Sequence, residues 1–371
     1  MSRPTRILQV FASLNIGGAE CRMMDVYRKL NKDKIQFDFV TLSQGQQFFE
    51  PEIKKLGGKV YKVKNPRENG IIEHFKELIT VMKSDDYHAV HAHTSYHCGF
   101  VSLAAAIVGI KHRVSHARTT GTIQRGLGTN LNIKIGKLLV SFFSNKKLCI
   151  SRDAGIFLYG KKALSNEKAI VLPNAINIDE YENIEQFDES IELSVKNSYV
   201  IGHIGRFSEM KNHKFLINVF DHLTKDCEEY KLILIGDGIL KAEIEAMVDN
   251  KNLRSKVIFT GNRRDIPYLL SKIDVLVIPS TYEGLGGVVI EAQAAGVPCV
   301  VSTALPYETD MKLNLIDRIS LDEPIERWVK AIQNSSNRRI YDRELIRRKF
   351  IESNYTVEQE VDFLLSRIYE L

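Results

Sequence analysis

No stretch of this chain approaches the ~20 consecutive apolar residues that a membrane-crossing helix needs, so any membrane role is expected to be peripheral. The first apolar run, residues 7–12, is short and ends in a polar, Gly-rich turn without a small-residue cleavage pattern, and reads as a β-strand rather than a secretory signal. Cysteine is sparse: Cys21, Cys98, Cys149, Cys227 and Cys299 lie far apart, odd in number and without a CxxC pair, which fits reduced thiols in the cytoplasm. Acidic residues are missing altogether between Asp86 and Asp153, whereas Lys111, Arg113, Arg118, Arg125, Lys134, Lys137, Lys146, Lys147 and Arg152 fall in that window. Against a mild net charge of +5, such local asymmetry implies an anionic partner, and no nucleic acid is expected. Internal repeats and low-complexity tracts are also absent.

What is present is a chain of 371 residues, 44% hydrophobic and 26% charged, which suits two globular domains. Strand-like and helix-like runs alternate: residues 7–12, 19–30, 37–42, 48–56, 59–63, 72–82 and 89–93, then again 199–204, 214–223, 231–235, 240–248, 257–259, 266–271, 274–278, 287–295 and 298–302. That alternation predicts βαβ units and two parallel sheets covered by helices. Between them lie Pro173-Asn174 and an acidic, weakly patterned stretch, residues 179–192, the usual marks of a junction. The expected division is 1–172 and 173–356, with an amphipathic segment, residues 357–371, returning to the first domain through Val361, Leu364, Leu365 and Ile368. Ligands of such sheets bind beyond the carboxyl ends of the strands, so two facing domains would enclose a cleft.

The most informative string runs from Ile278 to Pro298: a buried strand ends at Pro279, a polar loop presents Glu283, and Gly284, Leu285, Gly286 and Gly287 open a helix carrying Val288 and, a turn later, Glu291. Free N–H groups at a Gly-rich helix start make an anion site suited to a diphosphate. Taken without its surroundings, Glu283 is a loop residue and Glu291 an ordinary charge in a first helical turn.

The surroundings extend the pattern. The string resembles the E-x7-E motif and the following E-A-x-A-x-G-x-P of retaining, two-Rossmann (GT-B) glycosyltransferases, family 4 in particular. Gly17-Gly18-Ala19-Glu20 resembles that family's first glycine loop, Gly205-Arg206 with Lys211 its G-R-x-x-x-x-K segment, and Gly236-Asp237-Gly238 and Thr260-Gly261 its later turns. The resemblance covers residues 7 to about 304 and implies an α/β fold of two Rossmann-like domains facing across a cleft. It also implies a metal-independent, retaining hexosyltransferase without cofactor, using a UDP-linked or similar nucleotide sugar and a glycan or lipid-linked acceptor in cell-surface polysaccharide assembly.

It further implies roles. Arg206 and Lys211 would neutralise the phosphates, Gly287 and Val288 would offer N–H groups to them, Glu291 would hold the ribose, and Gly236 and Arg263 would wall the base. Glu283 would touch the transferred sugar, and His116, in Val114-Ser-His-Ala-Arg118, would contact sugar or acceptor. Retention is attributed in the family to a front-face route, with double displacement left open. The Gly-rich loop departs from relatives that carry a bulky or Pro residue there, which leaves the sugar undefined.

His88, His91, His93 and His97 suggest a metal site, since His91 and His93 share a strand face, but no carboxylate or cysteine at ligand spacing completes it except Cys98, and the resemblance implies no metal. Leu131, Ile135, Leu138, Leu139, Phe142 and Phe143 fall on one helical face flanked by Lys134 and Lys137, either as core or, with Arg113, Arg118, Arg125, Lys146 and Lys147, as a surface for an anionic bilayer. Two readings compete with that of an enzyme. One is a catalytically silent glycan-binding module of the same fold. The other, a dehydrogenase, lacks support because no strand is followed by G-x-G-x-x-G with an acidic residue ending the next strand.

Overall fold

In the computed structural model, which describes residues 3–119, 127–182, 184, 191, 194–225 and 229–371, the apolar runs fold as strands buried on both faces. That double burial is why they read as nearly continuous Val, Ile, Leu and Phe rather than as an alternation. The first sheet contains β1 (Thr5–Phe11), β2 (Ile35–Thr41), β3 (Val60–Lys62), β4 (Tyr87–Ala92), β5 (His112–Ala117), β6 (Lys146–Cys149) and β7 (Ile170–Val171), in the order β3-β2-β1-β4-β5-β6-β7. The second contains β8 (Tyr199–Ile204), β9 (Tyr230–Ile235), β10 (Val257–Gly261), β11 (Val275–Ile278), β12 (Cys299–Ser302) and β13 (Ile316–Ile319), in the order β10-β9-β8-β11-β12-β13. Pairing is parallel throughout both sheets.

Each order reverses once, between β1 and β4 in the first sheet and between β8 and β11 in the second. At such a reversal the loops leaving the two strands run to opposite sides and open a crevice at the carboxyl ends. The candidate site residues therefore have a topological address in each unit before any side chain is considered.

The chain divides into two compact units, Met1–Ile176 with Tyr355–Leu371, and Asn177–Asn354. The junction falls at Ile176 rather than after Leu172, because Ala175 and Ile176 are buried in the first unit and Ile176 N–H donates to the Tyr355 carbonyl at 3.0 Å. On the other side, Asp179 and Glu182 in the short helix Asp179–Glu182 are both held by Arg347 of the second unit. The tail forms an α-helix, Val357–Phe363, capped by the Thr356 hydroxyl, and continues as a π-helix, Leu364–Tyr369. Val357, Leu364, Ile368 and Tyr369 are buried in one cluster with Ile7, Phe11, Met23 and Phe37 of the first sheet and its first helix. The second unit has its own core, in which Trp328 meets the edge of Phe215 at 5.2 Å.

The predicted apolar face of the helix Leu127–Phe143 is not taken up by the core. Val140 and Gly136 turn inward, whereas Leu131, Ile135, Leu138 and Phe142 stand 59%, 38%, 57% and 73% exposed. Too many apolar residues surround this helix for one buried stripe to absorb them all.

Candidate functional site

In the second unit, the loops after β8 and β11 meet at the strand-order reversal. Asn212 Nδ2 donates to the Pro279 carbonyl at 3.2 Å, and Thr281 N–H donates to the Met210 carbonyl at 2.9 Å. Between these ties, Lys211 Nζ donates to Glu283 Oε1 at 2.5 Å, and Ser280 Oγ donates to the same oxygen at 2.8 Å. A cation and a carboxylate fixed against each other at the end of the sheet can contact neighbouring groups of one ligand. Arg206 is exposed on the same loop with no carboxylate partner among the described residues. His203 and His213 lie behind Lys211, ring centroids 4.5 Å apart. Burial first, then the Lys211 charge, pushes the His213 imidazole down to about 4, and burial with the charge of His213 and Lys211 holds His203 well below its usual range. Two neutral rings thus pack beside the lysine without adding to its charge.

Glycine is required where backbones touch. Gly236 has φ +136° and lies so close to the Gly205 carbonyl that a side chain there would strike backbone, which brings the ends of β8 and β9 together. Gly286, with φ +79°, caps the helix Gly287–Ala294, and a Cβ on it would run into Leu305. Gly287 differs: a methyl on its Cα would meet nothing within 4 Å, so the departure from bulkier relatives leaves open space at the helix start. The N–H groups of Gly287 and Val288 belong to the unpaired first turn of this helix. Leu285 is buried and anchors the loop, while Glu291 stands one turn along, half-buried. Arg263 is engaged by Asp265 through two contacts of 2.8 and 2.6 Å, so its fork is not a free wall for a base; the Arg263–Asp265 pair offers itself as a unit.

In the first unit, the reversal between β1 and β4 carries a different chemistry. Gly17 and Gly18 start the helix Gly18–Lys29, and a Cβ on Gly17 would press on the Glu20 carboxylate. His91 on β4, His93 just after it and His116 on β5 come together, while His88 bonds the Tyr369 carbonyl and His97 pairs with His74 elsewhere. Their proton positions follow from the partners. Arg118 Nε donates to His93 Nδ1 at 3.2 Å, so His93 carries its hydrogen on Nε2 and donates to Gln9 Oε1 at 3.0 Å. The Gln9 amide nitrogen then donates to the Tyr369 hydroxyl at 3.2 Å, and that hydroxyl donates to His91 Nδ1 at 2.7 Å. His91 accordingly donates through Nε2 to His116 Nδ1 at 3.1 Å, which leaves the His116 hydrogen on Nε2. His116 Nε2 is buried with no partner among the described residues. Burial, followed by the charge of Arg118, holds His91 and His116 neutral, and for His93 burial, His91 and Arg118 act in that order. The relay ends in a neutral N–H donor.

Nitrogen atoms of His91, His93 and His116 lie within 4.8 Å of one another, close enough for three ligands to one ion. The Arg118 guanidinium inside the cluster opposes this, because a divalent ion would sit beside a desolvated cation. Arg118 itself is a correction to the membrane surface predicted from sequence: it is half-buried, donates to Asn174 Oδ1, and faces the carboxylates of Glu360 and Glu20. Glu360 accepts the Ala175 N–H at 3.0 Å, and its burial raises it to about 7 against the pull of Arg118. Two other cations of that surface are also spent internally. Arg113 donates to the carbonyls of Phe143 at 2.8 Å and Ile110 at 2.7 Å, and Lys146 pairs with Glu370 at 2.6 Å. Arg125 lies outside the described residues. Lys134, Lys137 and Lys147 remain at the surface of the first unit.

Sequence reasoning missed Gln9, Tyr369 and Glu360, and misplaced Arg118. The signal for Arg118 was available, since residues 116 and 118 share a face on an extended strand.

Comparison with known proteins gives the family and the fold. Residues 184–350 match the model for glycosyl transferases group 1, and residues 16–180 that for glycosyltransferase family 4. A protein of Bacillus subtilis (strain 168) named as the putative glycosyltransferase EpsF is 34% identical over 371 residues, covering 98% of this chain and 96% of its own. The UDP-Gal:alpha-D-GlcNAc-diphosphoundecaprenol alpha-1,3-galactosyltransferase of Escherichia coli is 25% identical over 248 residues, 64% of each chain. Among solved structures, Anabaena HepE in complex with UDP-glucose is similar with a TM-score of 0.75 at 20% identity, over 97% of this chain and 99% of the other.

Proposed function

From the premise that the chain belongs to the family 4 glycosyltransferases of GT-B fold, we propose that it transfers a hexose or N-acetylhexosamine from a UDP-linked sugar to a lipid-linked acceptor, with retention of configuration. The observation that carries this reading is the Lys211–Glu283 contact at the reversal of the second sheet. In this reading Lys211 takes the distal phosphate and Glu283 the sugar, which stand side by side in a sugar nucleotide as the two side chains do here.

In this reading Arg206, Lys211 and the N–H groups of Gly287 and Val288 hold the diphosphate, and Glu291 the ribose. The bond from the anomeric carbon to the phosphate oxygen breaks, a bond to the acceptor hydroxyl forms, and the hydroxyl proton passes to the leaving diphosphate. Glu283 favours the oxocarbenium charge that develops, and the His116 N–H orients a hydroxyl of sugar or acceptor. Fixed cations and amides serve where other enzymes use a divalent ion, so we propose that none is needed. A role in polysaccharide assembly is supported by the capsular polysaccharide biosynthesis glycosyltransferase CapH of Staphylococcus aureus, and a lipid-linked acceptor by the galactosyltransferase above.

The test is a panel of nucleotide sugars incubated in EDTA with lipid-linked and soluble acceptors, scored by released nucleoside diphosphate, together with the melting temperature in UDP. Release and a UDP-dependent rise are expected without magnesium. An absolute need for a divalent ion overturns the metal-free assignment, and no release from any donor overturns the transfer reaction.

A further inference from the structure

A cavity of about 510 Å³ opens on the first unit between the helices Leu127–Phe143, Arg152–Tyr159 and Lys161–Ser165. It lies toward the amino ends of β6 and β7, where Lys147 stands early in the one strand and Lys168 just before the other, whereas His116 is near the carboxyl end of β5. Lys137, Lys147, Lys162 and Lys168 line it together with Phe157 and Asn166, and no carboxylate does so among the described residues. The internal contacts of these lysines leave their charge in place. Lys137 Nζ stands 4.1 Å from the centre of the Phe157 ring, and Lys147 Nζ is 3.4 Å from the Ser141 carbonyl. Burial, then repulsion from Lys168, lowers the Lys147 ammonium, and burial lowers that of Lys137, as for cations gathered without a counter-ion. Four positive charges around a hollow of ligand size call for an anion.

Tyr159 lines the same cavity and connects it to the sheet. Its hydroxyl is 2.7 Å from the Ser115 carbonyl on β5, 2.7 Å from the Leu148 carbonyl on β6 and 3.2 Å from Ser115 Oγ. Ser115 immediately precedes His116, whose Nδ1 accepts from His91 Nε2 at 3.1 Å, so a shift of the helix Arg152–Tyr159 acts on the strand that carries the end of the histidine relay. Repulsion among the lysines opposes the close packing of the three helices. An anion between them removes that repulsion and favours the arrangement in which Tyr159 is tied to β5. Four cations exceed the charge of one phosphate, and two linked phosphates match them more nearly.

We propose that this cavity is an effector site for a small soluble diphosphate, and that its occupancy is passed through Tyr159 to the strand carrying His116. The functional consequence rests on the reading of His116 as a donor to sugar or acceptor; the site and its link to β5 do not.

The test uses the full chain carrying Arg206→Gln/Lys211→Gln, which removes the two cations of the donor cradle, with inorganic pyrophosphate as the probe. Its melting temperature is expected to rise in pyrophosphate and much less in the same concentration of orthophosphate. Adding Lys162→Gln/Lys168→Gln should weaken pyrophosphate binding roughly ten-fold or more, whereas adding Lys76→Gln/Lys83→Gln, on exposed lysines elsewhere in the unit, should leave it unchanged. Hydrogen exchange reads the coupling: the amides of His112–Ala117 should exchange more slowly in pyrophosphate, and Tyr159→Phe should abolish that slowing while the melting shift stays. No pyrophosphate-dependent rise, or equal weakening by the two lysine pairs, overturns the site. Orthophosphate as effective as pyrophosphate overturns the diphosphate, and exchange in β5 that is unmoved by pyrophosphate, or slowed equally in Tyr159→Phe, overturns the coupling. UDP-dependent stabilisation of the unaltered chain separates the two readings: its presence without any pyrophosphate effect sinks this inference alone, and its absence with the pyrophosphate effect intact sinks the proposed donor reaction alone.

Discussion

The two units share a strand order and place their functional groups at the same topological point, yet fill it with opposite chemistry. At β8/β11 the residues are charged, glycine-rich and in part open to solvent: Arg206, Lys211, Glu283 and the start of the helix Gly287–Ala294. At β1/β4 they are neutral rings, buried and joined by hydrogen bonds to a residue 278 positions away, Tyr369. Topology fixes where a site forms, and the loops decide whether it is an electrostatic cradle or a pre-set hydrogen-bond donor.

The largest expected effect that could break this contrast is acid lability. In the first unit burial keeps His91, His93 and His116 well below their usual range and His97 at about 3; in the second it does so for His203, with His213 at about 4. Each would take up a proton near pH ~6.5 in the unfolded chain but not in the folded one. Their contribution is therefore present above that pH and lost as pH falls, by up to about 1.4 kcal/mol per pH unit for each group. Glu360, raised to about 7, and Glu20, also raised by burial, work in the other sense in the first unit, gaining stability as pH falls through their folded values, but they are two groups against four histidines, and Asp274 does the same in the second unit. Hydrogen exchange between about pH 6.5 and pH 5 should show the first unit opening before the second, and the reverse order would break the comparison.

Next in size is Glu283→Ala, expected to lower turnover by ~10²-fold with nucleotide affinity nearly intact, while Glu291→Ala weakens UDP binding instead. Calorimetry beside steady-state kinetics distinguishes them, and two variants that lose only binding would erase the division of labour. Tyr369→Phe removes the hydroxyl that sets His91 and hence His116; a roughly ten-fold fall in kcat is expected with the UDP-dependent melting shift unchanged. Smallest is Gly287→Ala, whose methyl enters open space and should change stability by less than ~0.5 kcal/mol, whereas Gly286→Ala, at positive φ and against Leu305, should cost ~1 kcal/mol or more in thermal melts.

Most of the strands and the Glu283–Glu291 string are legible in the sequence because they depend on local period and on glycine at fixed offsets. The amphipathic tail is legible for the same reason, through Val361, Leu364 and Ile368. Tyr369 is not: one aromatic residue at the end of a helical pattern carries no sign that its hydroxyl meets β4, a contact made only by folding across the whole chain. The basic window misled in a similar way. Arg113, Lys146 and Lys134 look equivalent in one dimension, but the first two are taken up by helix-end carbonyls and by Glu370, and only the fold separates used charges from those left at the surface. The Leu127–Phe143 helix shows the limit of periodicity itself, since its apolar residues exceed what its neighbours, chiefly the helix Cys98–Val108, cover.

The return of Tyr355–Leu371 to the first sheet bears on how the protein is made. A ribosome delivers residues 1–176 first, but their core still lacks Val357, Leu364, Ile368 and Tyr369 until the whole second unit has emerged. During that interval the apolar face awaiting the tail is open to chaperones or to other nascent chains. The second unit, continuous in sequence, can fold on arrival. Because Tyr369 both seals the core and sets the proton pattern ending at His116, the second unit reaches working form early, while the histidine relay is assembled only when the last segment docks.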